Sequence, residues 1–500
     1  MSRLKILSKN IKYNVISQIF NSAMFFVLMP FIVSHVGKEV YGVYILATTF
    51  TGYLGLLDFG ISTAIIKYVA EFSGKSDHDN VNSIVSASFS FYVAVGCATA
   101  LTLFVLSIFF ESLFKVAPAN KLIVKQIFLI VSISSLFIWP GRTFEGVLLG
   151  SQRYGILAIT GNVMTLLSAI ATYLILSSGL SIIYYLMASY FFNVLKFGIY
   201  YIWSQRHILR RKIIFPYFNQ AVFRLIFKFS FYVFLSSIVN VVIFNLDNFI
   251  VGAFVSVQAV TLYSVSASLQ NIFRFISSLI GGPLFPANAE MEGKGEIEKQ
   301  KVLLLKGTRL MTLIFIPMVI STIIFSRPLI INWMGEDFTG SIVPAIVLLM
   351  FWVFNGALEI GAGMLTAKGH VKDIFNIGII NAIFNLVLSL ILVKYLGTVG
   401  VALGTSIPMI FINFPLMVNL ILRVSGIGFW EYCRVVVNRN FPIYIIIALV
   451  SFLLCKFSTP KNLPIVILQM GLSYLAAMAA AYLFVFSCDE RREIREIVGL

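Results

Sequence analysis

Residues 81–110 read VNSIVSASFS FYVAVGCATA LTLFVLSIFF, thirty positions without an aspartate, glutamate, lysine or arginine. A helix needs about 20 mostly apolar residues to cross the hydrocarbon of a bilayer. It is also the simplest backbone that satisfies its own N–H and C=O groups there. The run therefore predicts a transmembrane helix. Stretches of the same kind recur on both sides of it, at 13–35, 40–60, 122–141, 154–177, 181–204, 225–252, 258–284, 303–325, 342–366, 374–393, 397–422, 436–456 and 463–487. With 81–110 they predict an all-α integral membrane protein of about 14 transmembrane helices.

The composition excludes a water-soluble fold. The 500 residues are 59% hydrophobic and 12% charged, against about 45–50% and about 25% for an ordinary soluble domain. No polar stretch is long enough for a soluble domain. The net charge of +16 raises the question of nucleic acid, but the lysines and arginines stand between the apolar segments, where they hold loops in the cytoplasm. Nucleic-acid binding is not expected. Cys97, Cys433, Cys455 and Cys488 show neither a CxxC spacing nor a disulfide framework. Arg3, Lys5, Lys9 and Lys12 lead into an apolar run too long for a signal-peptide core, so this segment reads as a retained first span.

Counting basic residues in alternate connections fixes a threading. With both termini in the cytoplasm, the inner segments hold 27 lysines and arginines and the outer segments eight; an odd span count scrambles that asymmetry. The basic stretch from Arg206 through Arg210-Arg211-Lys212 lies near the middle of the chain. It predicts four parts: a six-helix bundle over 1–204, a cytoplasmic linker over 205–224, a second six-helix bundle over 225–422, and two further helices with a short tail over 423–500. Glu290 to Arg309 mixes both charge signs and reads as a cytoplasmic loop carrying a short surface helix. A faint internal repeat supports the duplication: Val36 and Val43-Tyr44 recur as Val255 and Leu262-Tyr263, and Phe137, Gly146 and Leu148 as Phe354, Gly363 and Leu365.

Ionisable groups inside spans are costly and face a cavity or a partner. Here they are Asp58, Arg142, Glu145, Lys196, Asp247, Arg274 and Glu359. Helical spacing joins polar neighbours to them. Asn14, Gln18 and Asn21 share one face of the first span, Asn240, Asp247 and Asn248 one face of the seventh, and Ser264, Ser268, Asn271, Arg274 and Ser278 one face of the eighth. These stripes predict a polar cavity; helix-to-helix packing accounts for such stripes equally well. Asp58, Arg142 and Glu145 also suit an interfacial or mutually paired role, and Lys196 a snorkelling one. No catalytic signature is present: His35, His78, His207 and His370 fall in loops, and neither HExxH nor a Walker A sequence occurs. No cofactor and no metal are expected.

The opening residues Val36-Gly37, Val40-Tyr41-Gly42-Val43-Tyr44, Leu57-Asp58-Phe59-Gly60 and Ala64 through Ala70, with Leu148 to Tyr154 after the fourth span, resemble the polysaccharide transporter family. This family of Wzx-type O-antigen and capsule flippases lies within the superfamily of MATE-like multidrug, oligosaccharidyl-lipid and polysaccharide exporters. The resemblance implies two six-helix bundles in a V plus two C-terminal helices. It also implies flipping of undecaprenyl-diphosphate-linked oligosaccharide from the cytoplasmic to the outer leaflet of the bacterial inner membrane, as a monomeric transport unit beside a polymerase and chain-length machinery. Arg142, Lys196 and Arg274 are then the cations expected to meet the diphosphate or acidic sugars. Asn14, Gln18, Asn21, Asn240 and Asn271 are the expected neutral lining, and Asp58, Asp247 and Glu359 the expected sites of proton or sodium coupling. A cation-coupled exporter of small organic molecules is the alternative; a membrane-embedded polymerase or acyltransferase is the alternative from another class.

Overall fold

The computed structural model describes residues 3–113, 121–209, 213, 215–217, 219–281, 288, 291–292, 295–356, 358–457, 460, 462–486 and 491. Every regular element among them is helical. Eleven of these helical stretches are long and apolar enough to cross a membrane. Leu101, Phe109, Leu122, Phe137 and Phe191 are among many large apolar side chains left exposed. On a water-soluble protein that surface is an aggregation hazard; on a bundle in lipid it is the outer wall.

Two compact units divide the chain, Met1–Thr261 and Leu262–Leu500. The first contains α1 (Arg3–Val36), α2 (Lys38–Leu54), α3 (Ile61–Gly74), α4 (His78–Leu113), α5 (Lys121–Gly150), α6 (Tyr154–Ser177), α7 (Ile182–His207) and α8 (Gln220–Phe254). Gly37, at φ +80°, turns the chain between α1 and α2, a conformation that costs glycine little. Ser181 caps α7 by accepting from Ile183 N (3.4 Å), and Asn219 caps α8 by accepting from Ala221 N (3.0 Å). Each side chain satisfies an orphan N–H of a first helical turn.

The sequence reading treats 61–80 as a loop, whereas α3 is an amphipathic helix. Its Ile61, Ala64, Ile65, Tyr68 and Val69 bury against Val81, Ile84, Val85 and Trp139. α8 packs within the first unit as well: Tyr53 OH donates to Asn245 O (2.8 Å), Tyr68 OH to Leu225 O (3.3 Å), and the rings of Phe59 and Phe234 lie 4.7 Å apart. The compact unit thus runs to Thr261, while the expected second bundle starts at 225. The Arg210-Arg211-Lys212 run lies outside the described residues.

In the second unit, the expected loop over Glu290–Arg309 is largely helix, because Ile297–Met334 is one 38-residue element. Its first turns carry the i,i+3 pairs Lys299–Glu296 (2.8 Å) and Lys301–Glu298 (3.0 Å), so polar composition there extends the helix. Arg309 is 3% exposed, and its guanidinium donates to Val485 O (3.3 Å). Asn440 bridges Arg309 O (2.8 Å) and Thr312 Oγ1 (3.0 Å). Through these bonds and the packing of Leu313, Ile443, Ile447, Ala477 and Ala481, the last helices, Phe441–Phe457 and Leu463–Ala480, join the second unit.

The helical stretch Val371–Ser425 is 55 residues long but not straight. Gly397 adopts φ 57°, ψ −132°, and beyond it the chain folds back. Asn385 Nδ2 donates to Thr405 Oγ1 (3.0 Å), and a Cβ on Gly400 or Gly404 would run into Leu392 O or Ser389. The stretch is a tight helical hairpin, as the separate spans 374–393 and 397–422 anticipate.

Candidate functional site: a polar cavity in the first unit

α1, α5, α6 and α7 line an open cavity of about 480 Å³. α7 contributes Tyr185, Ser189, Asn193, Lys196 and Tyr200, spaced i, i+4, i+8, i+11 and i+15, which is one continuous helical face. α6 contributes Gly161, Asn162, Thr165, Ser168 and Thr172. α5 places Glu145, and α1 places Ser17 and Asn21. Small residues let the walls close: a Cβ on Gly141 of α5 would enter the Phe197 ring, and one on Gly155 of α6 would lie 3.3 Å from the Tyr13 ring.

Part of the lining is internally bonded. Asn21 Nδ2 donates to Ser17 O (2.8 Å) and accepts at Oδ1 from Thr165 Oγ1 (2.9 Å); Tyr200 OH donates to Leu157 O (3.2 Å). Asn162 Oδ1, Asn193 Oδ1 and Ser17 Oγ are buried with no partner among the described residues. Leaving such a group unsatisfied costs about 1–3 kcal/mol, so each stands to gain from a donor brought by an occupant.

One end of the cavity meets two acidic and two basic side chains, with the two cations, Lys196 and Arg142, in the middle of the series. Glu145 is within electrostatic range of Lys196 and of the Tyr200 hydroxyl, while Arg142 is within range of both Lys196 and Asp58. Lys196 Nζ also lies 4.5 Å from the Phe197 ring centroid, and the Arg142 guanidinium 4.7 Å from that of Trp139. Such faces attract cations where water is scarce. Asp58 accepts from Tyr92 OH and from the backbone N–H groups of Gly60 and Ser62. It therefore ties the left-handed Phe59-Gly60 turn and the start of α3 to α4.

Asp58, Arg142, Lys196 and Asn21 of the expected site residues thus belong to one neighbourhood. Gln18 is exposed on α1, and the side chains of Asn14 and Asn240 lie outside the described residues. Asp247 is buried on α8, within electrostatic range of Tyr53. In the second unit, Asn271 and Arg274 are exposed on Val257–Gly281 while Phe273 is buried against Phe315 at 5.7 Å. Glu359 is half-buried on Leu358–Ala367. The sequence reading missed Asn162, Thr165, Ser168, Ser189 and Asn193; the helical spacing of Ser189 and Asn193 from Lys196 on the α7 face was the signal that could have found two of them.

The cavity's lining residues lie within the span recognised by family comparison. The pattern of the polysaccharide biosynthesis protein family matches residues 7–292, more than half of the chain, and the MatE pattern matches residues 233–391. The chain is 24% identical to a candidate O-antigen transporter of Shigella flexneri over 385 residues, covering 76% of this chain and 90% of that protein. It is 23% identical to a candidate low-salt glycan biosynthesis flippase of Haloferax volcanii, over 78% and 79%. Among solved structures, the lipid II flippase MurJ in an inward closed conformation superposes with a TM-score of 0.70 at 18% identity, over 94% of this chain and 98% of that one. An inward-facing multidrug resistance MATE family transporter superposes at 0.68 and 13% identity, over 82% and 95%. The fold is that of these MATE and MurJ transporters, and by the family match this multi-pass membrane protein belongs to the polysaccharide biosynthesis protein family.

Proposed function

We propose that the protein is a non-catalytic flippase carrying lipid-linked oligosaccharide from the cytoplasmic to the outer leaflet of a bacterial inner membrane, with undecaprenyl diphosphate as the carrier. The observation that carries this reading is a hydroxyl- and amide-lined cavity in a helical bundle whose exposed surface carries many large apolar side chains. A sugar headgroup crossing lipid unaided leaves its hydroxyls unpaired, at several kcal/mol for each group; a polar path removes most of that cost. Family membership and the named relatives support the same substrate class.

Placement supports the residue roles within this reading. Arg274, exposed on its helix, attracts the anionic diphosphate. Arg142 and Lys196 have carboxylates within electrostatic range and serve the polar sugar end. Asp247 and Glu359 couple movement to a proton or sodium gradient, while Asp58, with three donors on its carboxylate, acts as an anchor. A monomer suffices for transport, and the polymerase and chain-length machinery act on what it delivers.

Deleting the gene in its host tests the reading. Loss of a surface polysaccharide with lipid-linked repeat units accumulating on the inner leaflet is expected. Unchanged long-chain polysaccharide in a strain without a redundant flippase overturns it. The MatE match over 233–391 favours small-molecule export as the second reading, which predicts sensitivity to organic cations in the same strain.

A further inference from the structure

We infer that the cavity of the first unit is a saccharide subsite that takes a neutral, polyhydroxylated sugar ring of the substrate, leaving the diphosphate and the prenyl chain outside. This rests on the flippase reading and adds where the sugar is held.

Three features of the lining select the occupant. Its volume of about 480 Å³ falls within the range of ligand-sized pockets, roughly 300–1,000 Å³, and accommodates a glycosyl unit. Its chemistry pairs aromatic faces, from Tyr154, Tyr185, Phe192 and Tyr200, with amides and hydroxyls on α6 and α7. A pyranose presents the matching pair of surfaces, a C–H face for a ring and a rim of hydroxyls for amides. Rotation of the Asn162 or Asn193 amide turns its unpartnered carbonyl toward a sugar hydroxyl.

The third feature is charge. Among the described lining residues the charged types are Glu145 and Lys196, within electrostatic range of each other; Arg142, in range of Lys196, is also in range of Asp58, so the formal charges cancel two against two. A diphosphate needs net positive charge and finds none. A prenyl chain would strip water from the hydroxyls and amides and return no hydrogen bond. A metal cation would face the Lys196 ammonium. A sugar ring satisfies the lining without requiring net charge.

The test uses the full-length protein in lipid nanodiscs. Cys97, Cys433, Cys455 and Cys488 are replaced by serine, and Ser168→Cys supplies a reporter in the cavity wall. The rate of maleimide labelling at position 168 is measured with lactose, with sodium pyrophosphate, and with neither. Lactose is expected to slow labelling in a saturable manner and pyrophosphate to leave it unchanged. Asn162→Leu and Asn193→Ser should each weaken lactose protection by about two- to tenfold, the loss of one neutral hydrogen bond. Protection by pyrophosphate, or none by lactose, overturns the proposal. In cells, the Asn193→Ser variant at wild-type protein level should lower surface polysaccharide. If it restores a deletion strain fully, the subsite is wrong while the flippase reading, tested by the deletion itself, stands.

Discussion

Gly141 has no room for a side chain, because a Cβ there would enter the Phe197 ring. α5 and α7 meet at this point, and both contribute to the cavity wall. Gly141→Val should force the helices apart, at a cost of about 1–3 kcal/mol for overpacking. Thermal unfolding of the purified protein checks this, and an unchanged transition would show that the wall yields freely. Asp58 poses a different question, since its carboxylate accepts from Tyr92 OH and two backbone N–H groups. Asparagine at 58 keeps an acceptor oxygen and alanine keeps none. An anchor therefore predicts that Asp58→Asn retains most flipping and that Asp58→Ala loses stability, by about 1.5–3 kcal/mol per charge-assisted hydrogen bond. A folded, abundant Asp58→Asn protein with no transport would instead make the charge itself essential.

At the scale of elements, the hairpin at Gly397 bears most directly on how the chain crosses the membrane. Its φ of 57° with ψ −132° lies where a side chain is strained and glycine is not. Gly397→Ala should cost about 1–3 kcal/mol, read as a lower unfolding temperature, and wild-type stability would mean the turn is not held in this geometry. The hairpin was legible in the sequence as two apolar runs parted near Lys394. α3 was not recognised, although Ile61, Ala64, Ile65, Tyr68 and Val69 follow helical spacing. A search for bilayer-length spans passes over a 14-residue amphipathic helix whose mixed composition resembles a loop. The cavity was half legible for a related reason: charges within spans drew notice to Arg142 and Lys196. Asn162, Ser189 and Asn193 are neutral and cheap enough in a bundle that their composition alone does not distinguish cavity from packing. Arg309 shows the converse, a basic residue that counts as loop in a charge tally and proves buried inside a long helix.

Across the whole molecule, the strongest prediction is the threading, because it follows from one asymmetry of charge. The expected spans put 27 basic residues on one side and eight on the other, and the more positive side is expected in the cytoplasm. Eleven helices meet the length and hydropathy needed for a span among the described residues. One of these stretches doubles back at Gly397, and two further long helices, Gln220–Phe254 and Val257–Gly281, stand outside the eleven. Counting the hairpin as two and adding both helices restores the even number that the charge asymmetry requires. Val257–Gly281 is the most polar of these helices in its middle, since it carries Arg274 and a serine stripe in place of an unbroken apolar surface. Reporter fusions decide its status: those at Arg211 and Lys299 should report the cytoplasm, and those at Lys38 and Glu336 the outside. If Val257–Gly281 lay along the surface, Arg211 and Lys299 would report opposite sides, and the charge asymmetry would need another origin than retention in the cytoplasm.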